Sequence, residues 1–286
     1  LTSIGVHVTP FDATSDLEAL GDALIASGEG AQVRVLHAET PANPTNAMVD
    51  LEGLNTLRRR LEATYGTSIL YAVDNTYMGP IWQKPLEWGA DLSVYSATKY
   101  LSGHSDLIAG AVVGRAEVLA AVKGLRTFIG NMASPFTCWL LTRSLETLAL
   151  RMAKQTENAQ AVAAFLKSHP AVERVYFPGF PEQGAEQNAI YAKQCTAPGA
   201  MISFDVRGGE AGAFACLNAL KHIKLAVSLG SNESLAQHPY HMTHADMPDA
   251  EKESLGLTAS MVRLSVGIEH PDDLIADLKQ SLDILV

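Results

Sequence analysis

Lys99 is the first residue in this sequence whose type and setting point to chemistry. It follows the strand-like run Leu92–Ser96 in the segment Ser96-Ala97-Thr98-Lys99, and a polar loop containing Gly103 comes next. An amine at the end of a buried strand is poorly solvated, which lowers its pKa and leaves more of it neutral. A neutral amine is what attack on a carbonyl requires. The hydroxyls of Ser96 and Thr98 lie within three residues of it and are suitable donors to a phosphate group. Taken alone, a strand-end lysine is more often a solvated charge.

Asp74 changes that balance. It ends the apolar run Tyr71-Ala72-Val73, 25 residues before Lys99. Two adjacent parallel strands would bring both side chains to one edge of a sheet. A buried carboxylate there needs a cationic partner. The protonated pyridine nitrogen of pyridoxal phosphate (PLP) would serve, and that pairing keeps the ring an electron sink. The plainer reading of Asp74 is an N-cap or turn residue.

The elements that must hold these residues are legible as alternating strands and helices. Strands are expected at Ile4–Val8, Val33–His37, Ile69–Val73, Leu92–Ser96 and Ala109–Val113, with helical patterns at Asp16–Ala26, Leu51–Tyr65 and Pro85–Gly89. This order predicts an α/β fold, its mostly parallel sheet covered by helices on both faces. From Phe136 to Ser168 no Gly or Pro interrupts, and Leu141, Leu145, Leu148 and Met152 repeat at helical spacing, which predicts one long linking helix. Strands at Val172–Tyr176, Ala200–Val206 and Met261–Ser265, with helices at Ala211–Ala219 and Pro271–Ile284, then predict a smaller α+β domain. The expected division is a large domain over residues 1–140, the linking helix over 141–168 and the small domain over 169–286.

Composition narrows the function classes. A formal net charge of −10 over 286 residues argues against a nucleic acid or an anionic membrane as the main partner. No apolar run approaches the roughly 18 residues that a membrane span needs, and the first residues lack the pattern of a signal peptide. Cys138, Cys195 and Cys216 are scattered and odd in number, which suggests reduced thiols in the cytoplasm, each buried and structural. His238, His241 and His244 invite a metal reading. Pro239 interrupts any helix there, and a three-residue step drifts around a helix instead of holding one face, so no metal is expected. Gly208-Gly209 with Gly212 lacks dinucleotide-loop spacing and reads as a turn. His104 reads as a loop histidine bonded to backbone.

Five stretches, ETPANP, VDNTY, SATKYLSGHSD, LAVSLGSNESLAQHP and VRLSVGIEHPDDL, run in this order from residue 39 to residue 274. Together they resemble the Cys/Met-metabolism family of fold-type-I PLP enzymes, most of all its methionine γ-lyases. The resemblance implies Lys99 as the lysine that carries PLP as a Schiff base and Asp74 as the partner of the pyridine nitrogen. It further implies Ser96 and Thr98 as phosphate ligands and Asn43 beside the phenolic oxygen. Arg263 would grip the substrate carboxylate with its planar fork, and Ser228 would orient that carboxylate and the lysine.

The resemblance also implies a lyase of sulfur amino acids that works on small-molecule substrates as a homotetramer, a dimer of dimers with shared active sites. A homoserine-ester sulfhydrylase and a cystathionine γ-synthase or γ-lyase are the alternatives within the family. A non-catalytic binding protein on the same fold is the alternative outside it. The family's Gly-Met phosphate loop, ring-stacking tyrosine and Tyr/Arg pair belong to a portion ahead of ETPANP that has no counterpart in this sequence.

Overall fold

The computed structural model describes residues 2–286. Strands β1 (Val35–Glu39), β2 (Leu70–Asp74), β3 (Leu92–Ser96) and β4 (Gly110–Gly114) form one sheet in that order. The first three are parallel and β4 returns antiparallel. Helix α1 (Leu17–Ser27) starts at Asp16, whose carboxylate accepts from the N–H groups of Glu18 and Ala19. Helix α2 (Leu51–Tyr65) is capped likewise by Asp50 and ends at Gly66 with φ of 65°. Leu51, Leu54, Leu57 and Leu61 form its apolar stripe and pack on Leu36, Ala38, Tyr71 and Val73.

After the short α3 (Gly79–Trp82) and β4 come α4 (Ala116–Ile129) and α5 (Pro135–Leu145), followed by α6 (Leu148–Ser168). The single long helix expected over Phe136–Ser168 is therefore two. No Gly or Pro makes the break. The Arg151 guanidinium takes the carbonyl of Ser144 at 2.9 Å and the hydroxyl of Thr147 at 3.1 Å, which holds the chain in a turn at Glu146–Thr147. The strand expected at Ile4–Val8 is also absent. Thr2–Ile4 is a 3₁₀ turn, and Val6 and Val8 are exposed with no strand beside them to pair with.

The second sheet contains β5 (Val172–Tyr176), β6 (Met201–Val206), β7 (Lys224–Leu225), β8 (Leu235–Gln237) and β9 (Met261–Ser265) in the order β5-β6-β9-β8-β7. Helices α7 (Ala185–Gln194), α8 (Gly209–Ala219), α9 (Asp249–Ser254) and α10 (Pro271–Leu282) complete the chain. Ile202, Phe204, Val262 and Leu264 pack with Val162 and Leu166 of α6, Leu217 of α8 and Leu278 of α10 in one core. The same core takes in Tyr77, Tyr95, Ala97 and Tyr100 from the first half of the chain, so the two sheets share packing.

The turn Thr40–Met48 fastens them further. Asn46 Nδ2 donates to the carbonyls of Tyr176 and Met201 at 2.9 and 3.0 Å, and Ser203 Oγ donates to the carbonyl of Pro44 at 2.6 Å. Of the three cysteines, only Cys216 is buried. Cys195 is half-buried and Cys138 is exposed on α5, a correction that follows from the exposure of that whole helix face.

Candidate active site

Strand register builds the first half of the site. Glu39 pairs with Asp74 and Asp74 with Val94, so the period of two puts Glu39, Asp74 and Ser96 on one face at the carboxyl ends of β1, β2 and β3. Asp74 is held by one oxygen. Its Oδ1 accepts from the N–H of Thr76 at 2.9 Å and from Thr76 Oγ1 at 2.6 Å, which leaves Oδ2 without a partner in the protein. Thr76 Oγ1 in turn accepts from the N–H of Ser96 at 2.8 Å, tying the two strand ends together. Glu39 accepts from the N–H of Asn43 at 2.9 Å. The surrounding protein mass raises the pKa of its carboxyl and the Asp74 charge adds to this, while the Asn43 N–H opposes it.

Lys99 lies on the turn that leaves β3, half-buried, with its N–H bonded to the carbonyl of Ser96 at 3.0 Å. Its Nζ donates to Ser228 Oγ at 3.2 Å. No carboxylate pairs with it among the described residues. Burial lowers its pKa, and the nearby Arg263 guanidinium lowers it further. That is the state a nucleophilic amine needs. The turn is clamped from behind, where Arg151 donates to the carbonyl of Tyr100 at 2.9 Å; Gly103 makes room, since a Cβ there would stand 2.0 Å from Arg151 Nη1.

The second half comes from the small sheet. Arg263 on β9 is 2% exposed. Its Nη1 donates to Asn43 Oδ1 at 3.0 Å, and its Nη2 to the carbonyls of Val227 and Ser228 at 2.9 and 3.0 Å. Gln237, opposite it on β8, brings its amide against the guanidinium, and in the amide orientation that satisfies both groups its oxygen accepts from Nη1 at 2.9 Å. Among the described residues no carboxylate forms an ion pair with Arg263. A buried cation without an anion is costly and marks a place where an anionic ligand is received.

The loop carrying Ser228 meets the lysine turn at Gly230. With φ of 75°, a Cβ on Gly230 would lie 2.7 Å from the N of Tyr100 and 3.1 Å from the carbonyl carbon of Lys99. The Asn232 N–H also donates to the Gly103 carbonyl at 2.9 Å.

The seven expected residues, Asn43, Asp74, Ser96, Thr98, Lys99, Ser228 and Arg263, fall on adjoining segments of the two sheets, which meet where Lys99 bonds to Ser228 and Arg263 bonds to Asn43 and Ser228. One differs in detail. The Thr98 hydroxyl is engaged with its own loop, accepting from the Ala109 N–H at 3.0 Å and lying 3.2 Å from the Ala109 carbonyl, whereas Ser96 Oγ has no protein partner. Sequence reasoning missed Glu39, Thr76 and Gln237. The first two sit inside motifs that had been noticed, ETPANP and VDNTY. Gln237 lies beside Arg263 only through strand pairing.

His104 Nδ1 donates to the Ser102 carbonyl within its own loop. His238 is buried against Phe214 and stacked on His241, while His244 bonds to the Pro239 carbonyl. No three His, Cys, Asp or Glu side chains converge among the described residues.

A model of the Cys/Met metabolism PLP-dependent enzymes matches residues 1–283. The chain belongs to that family. An L-methionine gamma-lyase of Porphyromonas gingivalis is 42% identical over 288 residues, covering 100% of this chain and 69% of the relative. A cystathionine gamma-lyase of Sus scrofa is 42% identical over 252 residues, 88% of this chain and 60% of the relative. The crystal structure of a methionine gamma lyase from Micromonospora echinospora superposes with a TM-score of 0.87 at 37% identity, covering 99% of this chain and 72% of that one.

The cofactor of the family is PLP, and the donor set fits it. An amine of lowered pKa, a carboxylate with one oxygen free, an unengaged hydroxyl at a strand end and an amide beside them are the groups that a carbonyl, a pyridine nitrogen, a phosphate and a phenolate call for.

Proposed function

We propose that this PLP-dependent lyase cleaves the carbon–sulfur bond of L-methionine by γ-elimination with uptake of one water, giving methanethiol, 2-oxobutyrate and ammonia. The observation that carries the proposal is an amine poised at Lys99 and a buried Arg263, without an anionic partner among the described residues, both meeting at Ser228. Lys99, Asp74, Ser96, Thr98 and Asn43 would hold the cofactor, and PLP when bound supplies an electron-withdrawing ring that stabilises negative charge at the substrate Cα.

The protein's own residues do the rest. Arg263 binds the α-carboxylate with its planar fork and fixes the direction in which Cα–H points. Asn43, itself held through Glu39, keeps the guanidinium in plane. Asp74, its Oδ1 held by Thr76, would offer Oδ2 to the pyridine nitrogen of the cofactor and favour its protonated form. Lys99, its pKa lowered by burial and its amine directed by Ser228 Oγ, takes the proton from Cα and returns a proton as the product leaves. The L-methionine gamma-lyase relative matches 100% of this chain and the cystathionine gamma-lyase 88%, which supports methionine over cystathionine.

The finer parts of the proposal are a cytoplasmic location and assembly as a tetramer of two dimers with shared sites. The apolar side chains exposed on α4 and α5, among them Leu125, Phe128 and Trp139, favour burial against another chain. No helix among the described residues is long and apolar enough to cross a membrane.

The test is mass-spectrometric product analysis of the PLP-loaded protein with L-methionine, L-cystathionine, and O-acetylhomoserine with and without a thiol. Methanethiol and 2-oxobutyrate from methionine are expected. A thioether formed only when ester and thiol are both present would replace the proposal with a sulfhydrylase. In the same assay Lys99→Ala should lose at least about 10²–10⁴ of turnover, and substantial residual activity would remove Lys99 from its role.

A further inference from the structure

Tyr77 brings to the site a polar atom that nothing above uses. It follows the Asp74-Asn75-Thr76 turn, is 5% exposed, and packs in the shared core with Tyr95, Tyr100 and Met152. Its hydroxyl has no hydrogen-bond partner among the described residues, an uncommon state for a buried O–H. Yet it lies against the Arg263 guanidinium, whose charge is the main influence opposing the effect of burial on the phenol. Burial prevails, so the phenol stays protonated and able to donate. Tyr100 has a second unpartnered hydroxyl that feels the same charge but does not touch the guanidinium.

The electrostatics fix the direction in which Tyr77 can act. A hydroxyl beside a guanidinium turns its oxygen toward the N–H groups and its hydrogen away from them. An anion held by the same guanidinium is then placed to accept that hydrogen. Arg263 is the one residue of the site built to hold such an anion, and its Nη1 and Nη2 already fix its plane against Asn43, Val227 and Ser228.

We propose that Tyr77 is a substrate-binding residue, its Oη–H donating to the α-carboxylate that Arg263 holds, and that it helps the enzyme choose free amino acids over their amides. The proposal rests on the reading of the site as one for an amino acid. A site built to donate to a carboxylate discriminates against a ligand that cannot accept in the same way, because its polar groups are then left unpaired.

The experiment uses the PLP-loaded protein, wild type and Tyr77→Phe, titrated spectrophotometrically with L-norleucine and with L-norleucinamide. L-Norleucine has the length of methionine but no leaving group at Cγ. The Kd for L-norleucine should rise about tenfold in the variant, while that for the amide should change by less than about twofold. With L-methionine, KM should rise by a similar factor with kcat nearly unchanged, the signature of lost uniform binding. The ligand-free Tm should stay level or rise, since the hydroxyl has no partner to lose.

An unchanged Kd for L-norleucine would overturn the proposal. So would equal weakening toward both ligands, which would give the hydroxyl a supporting role blind to the carboxylate, and so would a fall in the ligand-free Tm. A wild-type protein that binds neither ligand would instead sink the amino-acid reading of the site, and a normal wild-type titration keeps the two failures apart.

Discussion

The two sheets that build the site are finished to different degrees. In the five-stranded sheet every residue of β6 and β9 is buried, with α6, α8 and α10 packed against them in one core. In the four-stranded sheet the outer strands β1 and β4 expose alternate or most residues, and α4 has no buried residue at all. The site draws one half from each. Arg263 stands in a completed core, where strand pairing and three acceptors set its position. Lys99 and Asp74 stand on a sheet with two open edges, and contacts from outside that sheet hold them: Thr76 on Asp74, Arg151 on the lysine turn, and the Gly230 loop on both Lys99 and Tyr100. A completed core suits the task of gripping a carboxylate in one place. The lysine half owes its geometry to the joint between the sheets, and that joint is where it is most easily disturbed.

Substitution of Gly230 should break the joint and has the largest effect expected of a residue that only supports the site. In Gly230→Ala the new methyl meets the N of Tyr100 at 2.7 Å, and φ of 75° is a conformation that an L side chain adopts only with strain. The loop bearing Ser228 should then withdraw from Lys99. We expect a loss on the order of 10²-fold in kcat/KM, with Arg263 still able to bind a carboxylate. A Kd for L-norleucine that worsens as much as kcat/KM would show that both halves move together, contrary to the comparison.

Asp277 tests how far the completed sheet stands alone. On α10, 2% exposed, it accepts from the N–H groups of Lys221, His222 and Ile223, each at 2.9 Å, and so anchors the segment that leads into β7 and β8. Asp277→Ala leaves three donors without their acceptor, the one at Ile223 buried, and should cost about 2–3 kcal/mol by denaturant unfolding, most of it local to this sheet. The same N–H groups outweigh burial and hold the carboxyl below the usual aspartate range. Its contribution is therefore fully present above an ordinary aspartate pKa of about 4 and is lost as pH falls through the depressed folded value. The Tm gap between wild type and Asp277→Asn should be constant at pH 6 and close as the medium is acidified below pH 4. A gap that widens on acidification would reverse the sign of the linkage.

Most of the chemistry was legible because it is local. Lys99 after an apolar strand and Asp74 after another are patterns of a few residues each, and parallel pairing of β2 and β3 brings them to one edge. The bounds of Leu51–Tyr65, Leu92–Ser96, Val172–Tyr176 and Met261–Ser265 could be read from apolar periodicity and caps alone. What was missed depends on partners far along the chain. The break between α5 and α6 is made by the Arg151 side chain, not by a helix breaker. β8 is three residues long, without alternation, and exists because β9 pairs with it. Helix α4 buries nothing, so no core demanded its pattern. Tyr77 reaches Arg263 only once the two sheets are docked, and Gln237 only once β8 pairs with β9. Isolated motifs locate reactive atoms well, whereas the residues that orient them are assembled by tertiary contacts.

The smallest effect belongs to the outer edge of the open sheet and sharpens the contrast within it. Asp91 accepts from the Tyr71 N–H at 2.9 Å and pairs with two arginines at nearly equal distance, Arg58 at 2.8 Å and Arg115 at 2.7 Å. Distance alone would make the arginines equal. Their exposure differs, with the side chain of Arg58 14% accessible and that of Arg115 63%. Water and salt screen the second pair, and its long side chain loses rotamer freedom to form it. Arg115→Ala should therefore cost less than about 1 kcal/mol and become neutral at high salt. Arg58→Ala removes the screened-off partner and the packing of its stem on α2, and should cost about 1–2 kcal/mol with little salt dependence. Equal losses would mean that the edge of this sheet is covered in solution as thoroughly as its centre, and that its openness does not carry into the working enzyme.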